Sequence, residues 1–292
     1  MTMVLGEATR QLLGSSRPVS WVNTAYPFAA AYLLSGGGLT AELVIGTLFF
    51  LIPYNLLMYG INDVFDYESD LRNPRKGGIE GIVLSDRWHG VTLWASGLLA
   101  LPFVVALVAF GDLVSTLVLA VTLAAVVGYS APRIRLKERP VLDSMTSSTH
   151  FVGPAALGLA LADGAWTVTA AASLVAFFLW GMASQAFGAV QDVTADREAG
   201  IGSIATVLGT ATTVRVAIGL YAAAGVVMVL AGWPGALAGL LAIPYILSIL
   251  PFRSLPDDRC EEANAGWRRF LWLNMLTGFA LTMLFLWIGL RG

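Results

Sequence analysis

Apolar residues fall in long unbroken blocks along this chain, with neither the period-two alternation of a strand nor the one-sided stripe of a soluble helix. Nine windows are long and apolar enough to cross a bilayer, at about 19–36, 42–61, 90–110, 113–130, 145–161, 166–188, 212–231, 233–251 and 270–289. Charge or Gly/Pro breaks bound them, such as Gly36-Gly37-Gly38, Gly111-Asp112 and Gly232-Trp233-Pro234. The fifth opens on the most polar stretch, with Ser144, Thr146, Ser147, Ser148, Thr149 and His150. The ten-residue alternation of a membrane barrel is absent from these blocks. The pattern predicts an all-α polytopic membrane bundle of nine transmembrane helices. One domain over 1–292 is expected, with cap loops near 62–89, 130–144, 189–211 and 252–269.

Composition agrees: 57% of the 292 residues are hydrophobic and 12% charged, about half the usual supply for a soluble domain. Disorder is excluded by the apolar content. Nucleic-acid binding is not expected, since 17 Lys+Arg stand against 19 Asp+Glu. With the N-terminus cytoplasmic, 16 of the 17 basic residues fall on the cytoplasmic side and only Arg291 on the other. That split sets the expected orientation, and a missed or extra helix would scramble it. A multi-pass protein of the cell membrane follows, without a cleavable signal peptide, because the first apolar run lacks a small-residue cleavage site. Cys260, the only cysteine, has no metal-ligand spacing around it.

The carboxylates are distributed unevenly. Only Glu42, Asp112 and Asp163 lie away from the cytoplasmic side. Two clusters close the second and sixth windows: Asn62-Asp63-Val-Phe-Asp66-Tyr-Glu68-Ser-Asp70 and Gln191-Asp192-Val-Thr-Ala-Asp196-Arg197-Glu198. On a continuing helix Asn62, Asp66 and Asp70 share a face, as do Asp192 and Asp196. Like charges at this spacing repel, and a helix C-terminus disfavours anions further. Two such arrangements, four helices apart, imply a bound cation. Oxygen ligands that leave room for water and substrate phosphates describe Mg²⁺ with a diphosphate. Basic and glycine-rich stretches, Arg72-Asn-Pro-Arg75-Lys76-Gly77-Gly78 and Tyr129-Ser-Ala-Pro132-Arg133-Ile-Arg135-Leu-Lys137, suit the diphosphate.

The paired acidic motifs, with Tyr129-Ser-x-Pro followed by Lys137, resemble the UbiA-type membrane prenyltransferases. The similarity extends over essentially the whole chain. Ser16–Pro27, Ile52–Asp70, Asn73–Gly78 and Phe178–Gln185 are similar to the lycopene elongases of carotenoid-making bacteria within that family. The resemblance implies Mg²⁺ held by Asn62, Asp66, Asp70, Asp192 and Asp196. It implies Asp63, Tyr129 and Lys137 as catalytic residues, with Asp63 orienting or ligating. Arg72, Arg133, Lys137 and Arg197 would grip the donor diphosphate. The donor would be dimethylallyl diphosphate and the acceptor lycopene, reached from within the lipid bilayer, so that two rounds give a fifty-carbon carotenoid. Tyr59, Phe65, Tyr129 and Trp180 are candidates to shield an allylic cation. A carotenoid cyclase acting downstream is a compatible partner. Gly202 departs from many quinone-pathway relatives, which place a Lys there. A quinone precursor, haem or chlorophyllide is the alternative acceptor. A transporter is disfavoured, because no ionisable residue lies at the middle of any window.

Overall fold

The computed structural model describes residues 2–71 and 82–290, and among them there is no strand. The chain is all-α and forms two compact units, Met1–Arg135 with Gly153–Gly164, and Leu136–Val152 with Ala165–Gly292.

The first unit contains α1 (Thr2–Ser15), α2 (Trp21–Leu34), α3 (Ala41–Leu51), α4 (Pro53–Phe65), α5 (Tyr67–Asp70), α6 (His89–Phe110) and α7 (Leu113–Ser130). The later part of α8 (Leu142–Leu161) completes it. Its core is aromatic: Phe28, Phe49, Phe50 and Tyr54 are fully buried. Phe50 lies 4.9 Å from both Phe49 and Tyr54, and 5.3 Å from Phe28. The second apolar window is two helices, because Pro53 has no N–H to donate and breaks the run at Ile52. Carbonyls at such a break must find new donors inside a membrane. Phe50 O accepts from Thr24 Oγ1 (2.7 Å) and Asn55 Nδ2 (2.8 Å), and Leu51 O accepts from Asn55 Nδ2 (3.1 Å). The buried Asn55 thereby fixes the angle at which α4 runs towards the first acidic motif.

The second unit contains the start of α8, then α9 (Val168–Val190), α10 (Val193–Ala199), α11 (Ile204–Leu208), α12 (Thr210–Val227), α13 (Ala242–Ile249) and α14 (Asn264–Gly289). Short 3-10 stretches at Met228–Ala231, Gly235–Leu241 and Leu250–Phe252 lengthen α12 and α13. Small residues such as Ala176, Ala183, Ala217 and Ala224 are buried in this unit, and α9 and α12 pack closely along it. Between them the Ser184 and Tyr221 hydroxyls meet at 2.9 Å. Tyr245 and Trp267 both pack on Phe270, with ring centroids at 5.8 and 4.8 Å.

Among the described residues, seven helical stretches are long and apolar enough to cross a membrane: Ala41–Phe65, Asp86–Phe110, Leu113–Ser130, Val168–Val190, Thr210–Ala231, Gly235–Phe252 and Asp257–Gly289. They coincide with seven of the nine windows. The other two windows hold α2 and α8, which miss on different grounds. α2 has 14 residues, about 21 Å at 1.5 Å per residue, which is short of a bilayer core. α8 has the length, but its first half is the polar stretch Ser144–His150.

Candidate active site

The first acidic motif lies at the end of α4. Asp66 caps that helix, and its N–H still reaches Asn62 O (2.9 Å), so Asn62 and Asp66 keep helical spacing. The helix does not continue to residue 70. It stops at Phe65 and restarts as the single turn α5, a correction to the continuous face expected over 62–70. Asp70 is the last residue of α5; its side chain, like all of Arg72 and the Arg75–Gly78 stretch, lies outside the described residues.

Asn62, Asp63 and Asp66 each have a partner from elsewhere in the first unit. Asn62 Oδ1 accepts from Ser130 Oγ at the end of α7 (2.9 Å). Asp66 Oδ1 accepts from Arg135 Nη2 (3.3 Å), while Arg135 Nη1 donates to Phe65 O (3.4 Å). Asp63 is fully buried. Its Oδ2 accepts from Ser15 Oγ (2.8 Å) and its Oδ1 from Arg17 Nη2 (3.2 Å). The Arg17 guanidinium lies 4.2 Å from the centre of the Tyr59 ring, so that face of Tyr59 already covers a cation. Arg17 adopts a left-handed backbone (φ 50°), as do Arg133 (φ 72°) and Arg135 (φ 39°). Tyr129 is half-buried one residue before the end of α7, and Arg133 is exposed in the loop beyond it.

The second motif belongs to the second unit and is shaped by its backbone. α9 ends at Val190, and Asp192 is the residue before α10. Asp196 N–H donates to Asp192 O (2.8 Å), which preserves the four-residue spacing. α10 closes on Gly200, whose left-handed backbone (φ 70°) lets Ile201 N–H return to Asp196 O (2.8 Å). Ser203 then caps α11: its hydroxyl accepts from Thr206 N (3.1 Å), and Thr206 Oγ1 accepts from Ser203 N (2.8 Å). Arg197 is pinned, Nε donating to Thr206 O (3.0 Å) and Nη1 to Asp257 Oδ2. Asp257 Oδ1 accepts from Thr210 N (2.7 Å). Lys137 is half-buried in a 3-10 turn, Leu136–Glu138, of the same unit.

Asp143 is a buried carboxylate that the sequence did not single out. It accepts from Ile204 N (2.9 Å, Oδ2) and Ser144 N (2.7 Å, Oδ1). Burial pushes its carboxyl above the usual range, and the two amides pull it back in part.

Among the described residues, no three His, Cys, Asp or Glu side chains are grouped closely enough to hold a metal ion by themselves. The donors that the two motifs do offer are all oxygen: the Asn62 amide and the Asp66, Asp192 and Asp196 carboxylates. In either motif, oxygen donors are the kind that a hard cation such as Mg²⁺ takes. Ser15, Arg17, Ser130 and Arg135, which hold the first motif, were not predicted as site residues. Their contacts span 46 to 70 positions of sequence and carry no local signal.

Comparison with known proteins fixes the class. The UbiA prenyltransferase family matches residues 24–276, and the chain belongs to that family: it is a prenyltransferase. A lycopene elongase/hydratase of Corynebacterium glutamicum is 50% identical over 278 residues, 95% of this chain and 97% of that protein. A C50 β-cyclic carotenoid biosynthesis protein of Dietzia sp. is 54% identical over 94% of this chain and 64% of its own length. Among solved structures, a UbiA homologue from Archaeoglobus fulgidus bound to dimethylallyl diphosphate (DMAPP) and Mg²⁺ is similar in fold. Its TM-score is 0.67 at 20% identity, over 92% of this chain and 98% of that one.

Proposed function

We propose that this prenyltransferase transfers dimethylallyl units from DMAPP to the two ends of lycopene, giving a forty-five-carbon and then a fifty-carbon carotenoid. The observation that carries this reading is the 50% identity, over nearly the full length of both chains, to a protein that elongates lycopene. Asn62, Asp66, Asp70, Asp192 and Asp196 would hold Mg²⁺, which supplies positive charge to the donor diphosphate as it leaves. Lys137, Arg133, Arg72 and Arg197 would bind the diphosphate oxygens. Asp63, buried against Ser15 and Arg17, orients the first motif, and Tyr129 stands beside the leaving group.

The allylic C–O bond breaks with both electrons on diphosphate, and the terminal double bond of lycopene forms the new C–C bond. The resulting tertiary cation accepts water and releases a proton, in keeping with the hydratase activity named for the Corynebacterium relative. Apolar and aromatic side chains, Phe65 and Trp180 among them, keep stray water from the first cation. Lycopene is hydrocarbon throughout, so its ends enter from the bilayer. We further propose nine membrane crossings with α2 and α8 included, a cytoplasmic N-terminus, and the acidic motifs at the cytoplasmic face of the cell membrane. The 16-to-1 division of basic residues supports that orientation.

Purified protein in vesicles loaded with lycopene tests the reaction. Labelled DMAPP with Mg²⁺ should place label in carotenoids extended by one and two five-carbon units. Chelation should stop transfer, and added Mg²⁺ should restore it. Label passing instead to an aromatic quinone precursor, or transfer indifferent to chelation, contradicts the proposal.

A further inference from the structure

The turn that carries Lys137 is tied to the segment following the second acidic motif by contacts the transfer reaction itself does not require. Asp143 Oδ2 accepts the N–H of Ile204, the first residue of α11 (2.9 Å). The N–H of Asp143 donates to Arg139 O (2.9 Å), and the N–H of Arg139 to Leu136 O (3.1 Å). A chain of three hydrogen bonds therefore runs from the start of α11 to the turn Leu136–Glu138. Asp143, Ser144, Ser203 and Ile204 are all buried, so this junction is packed and kept from water.

The second half of the junction is a glycine. A Cβ built on Gly202 would lie 2.5 Å from the carbonyl oxygen of Glu138, and 3.7 Å from Pro140 Cδ. The obstacle is backbone, so no side-chain rotation relieves it; any larger residue must push the Lys137 turn away.

We propose that Gly202 and Asp143 are positioning residues that clasp the Lys137 turn against the segment after the second acidic motif, setting Lys137 for the donor diphosphate. The proposal rests on the reading of Lys137 as a diphosphate ligand given above. Neither clasp residue touches the substrate; both act through the backbone of residues 136–143.

The test is inhibition by inorganic pyrophosphate with Mg²⁺, measured beside KM for DMAPP, KM for lycopene, kcat and the melting temperature. Lys137→Ala should raise the inhibition constant about tenfold, the worth of one charge-assisted hydrogen bond. Gly202→Ala should raise it, and KM for DMAPP, by a similar factor while KM for lycopene stays unchanged. Asp143→Asn, which keeps the shape and one acceptor oxygen, should give a smaller shift in the same direction. In a Lys137→Ala background neither change should shift pyrophosphate binding further.

Four results overturn the clasp. One is that Gly202→Ala and Asp143→Asn lower the melting temperature or kcat without moving the pyrophosphate constant. Another is that their effects add to that of Lys137→Ala. The third is that Lys137→Ala itself leaves the constant unchanged, which also removes Lys137 from the donor site. A shift with Lys137→Ala alone sinks the clasp and leaves the donor-site reading standing.

Discussion

The two acidic motifs share a spacing and differ in how the protein holds them. At the end of α4, carboxylates are met by arginines from distant segments: Asp63 by Arg17, and Asp66 by Arg135. At the end of α9 the motif is set by backbone closure: Asp192 opens α10, Gly200 ends it and Ser203 starts α11. The nearby buried carboxylates show the same contrast. Asp63 is held by a guanidinium and a hydroxyl, whereas Asp143 accepts two main-chain amides. A cation neutralises a buried carboxylate directly; amides solvate it and leave its charge in place. The first motif is therefore sensitive to loss of one side chain, and the second to changes in loop path.

The contrast should vanish for the residues that do the chemistry. Asp66→Ala and Asp196→Ala should each cut turnover by about a thousandfold or more, as expected when charge stabilisation of the leaving group is lost. Membrane insertion, followed by yield and elution profile, should be normal. A variant with near-normal turnover would remove that aspartate from the metal site.

The contrast should be sharpest at the arginine. Arg17→Ala takes the guanidinium from the buried Asp63 carboxylate; breaking a buried pair costs about 3–5 kcal/mol, and the lower end applies because Arg17 is 19% exposed and Ser15 still donates to Asp63. The melting temperature in detergent should fall, and Asp63→Asn in the same background should recover most of it. Equal melting of the wild type and Arg17→Ala would show that the pair does not anchor the motif.

A smaller effect distinguishes the amide-held carboxylate. Burial raises the Asp143 carboxyl, so the folded protein binds its proton more tightly than the unfolded chain. The stability this group contributes is full below the ordinary carboxylate range, and is lost as pH rises through the raised value. Melting curves followed upward in pH from the ordinary carboxylate range should show that loss in the wild type, and a flatter profile in Asp143→Asn. Smallest of all, Ser203→Ala removes the cap of α11 and should cost about 1 kcal/mol, read as a modest drop in the denaturation midpoint.

The helices were legible in the sequence because a bilayer demands long apolar runs, and all nine windows hold helix. The break at Pro53 was not read, because a window average registers hydropathy and not the missing N–H. The Asn62–Asp66 spacing could be read from the helical repeat. Asp70 could not be placed by it, since Asp66 ends the helix. Arg17 looked like the flank of an apolar run, and Arg135 like one basic residue in a loop. Only the fold, which brings together residues 46 and 69 positions apart, assigns them to Asp63 and Asp66. The close approach of Gly202 to the Glu138 carbonyl is likewise a tertiary contact with no trace in local sequence.

The most direct test of the central claim is the pigment profile of a lycopene-accumulating host that expresses this chain and supplies DMAPP. Addition at the isolated terminal double bonds leaves the conjugated polyene intact. The account predicts carotenoids heavier by one and two hydrated five-carbon units, with the visible spectrum of lycopene, and none from a host expressing Asp196→Ala. Unchanged lycopene beside a well-expressed, membrane-inserted protein would contradict it.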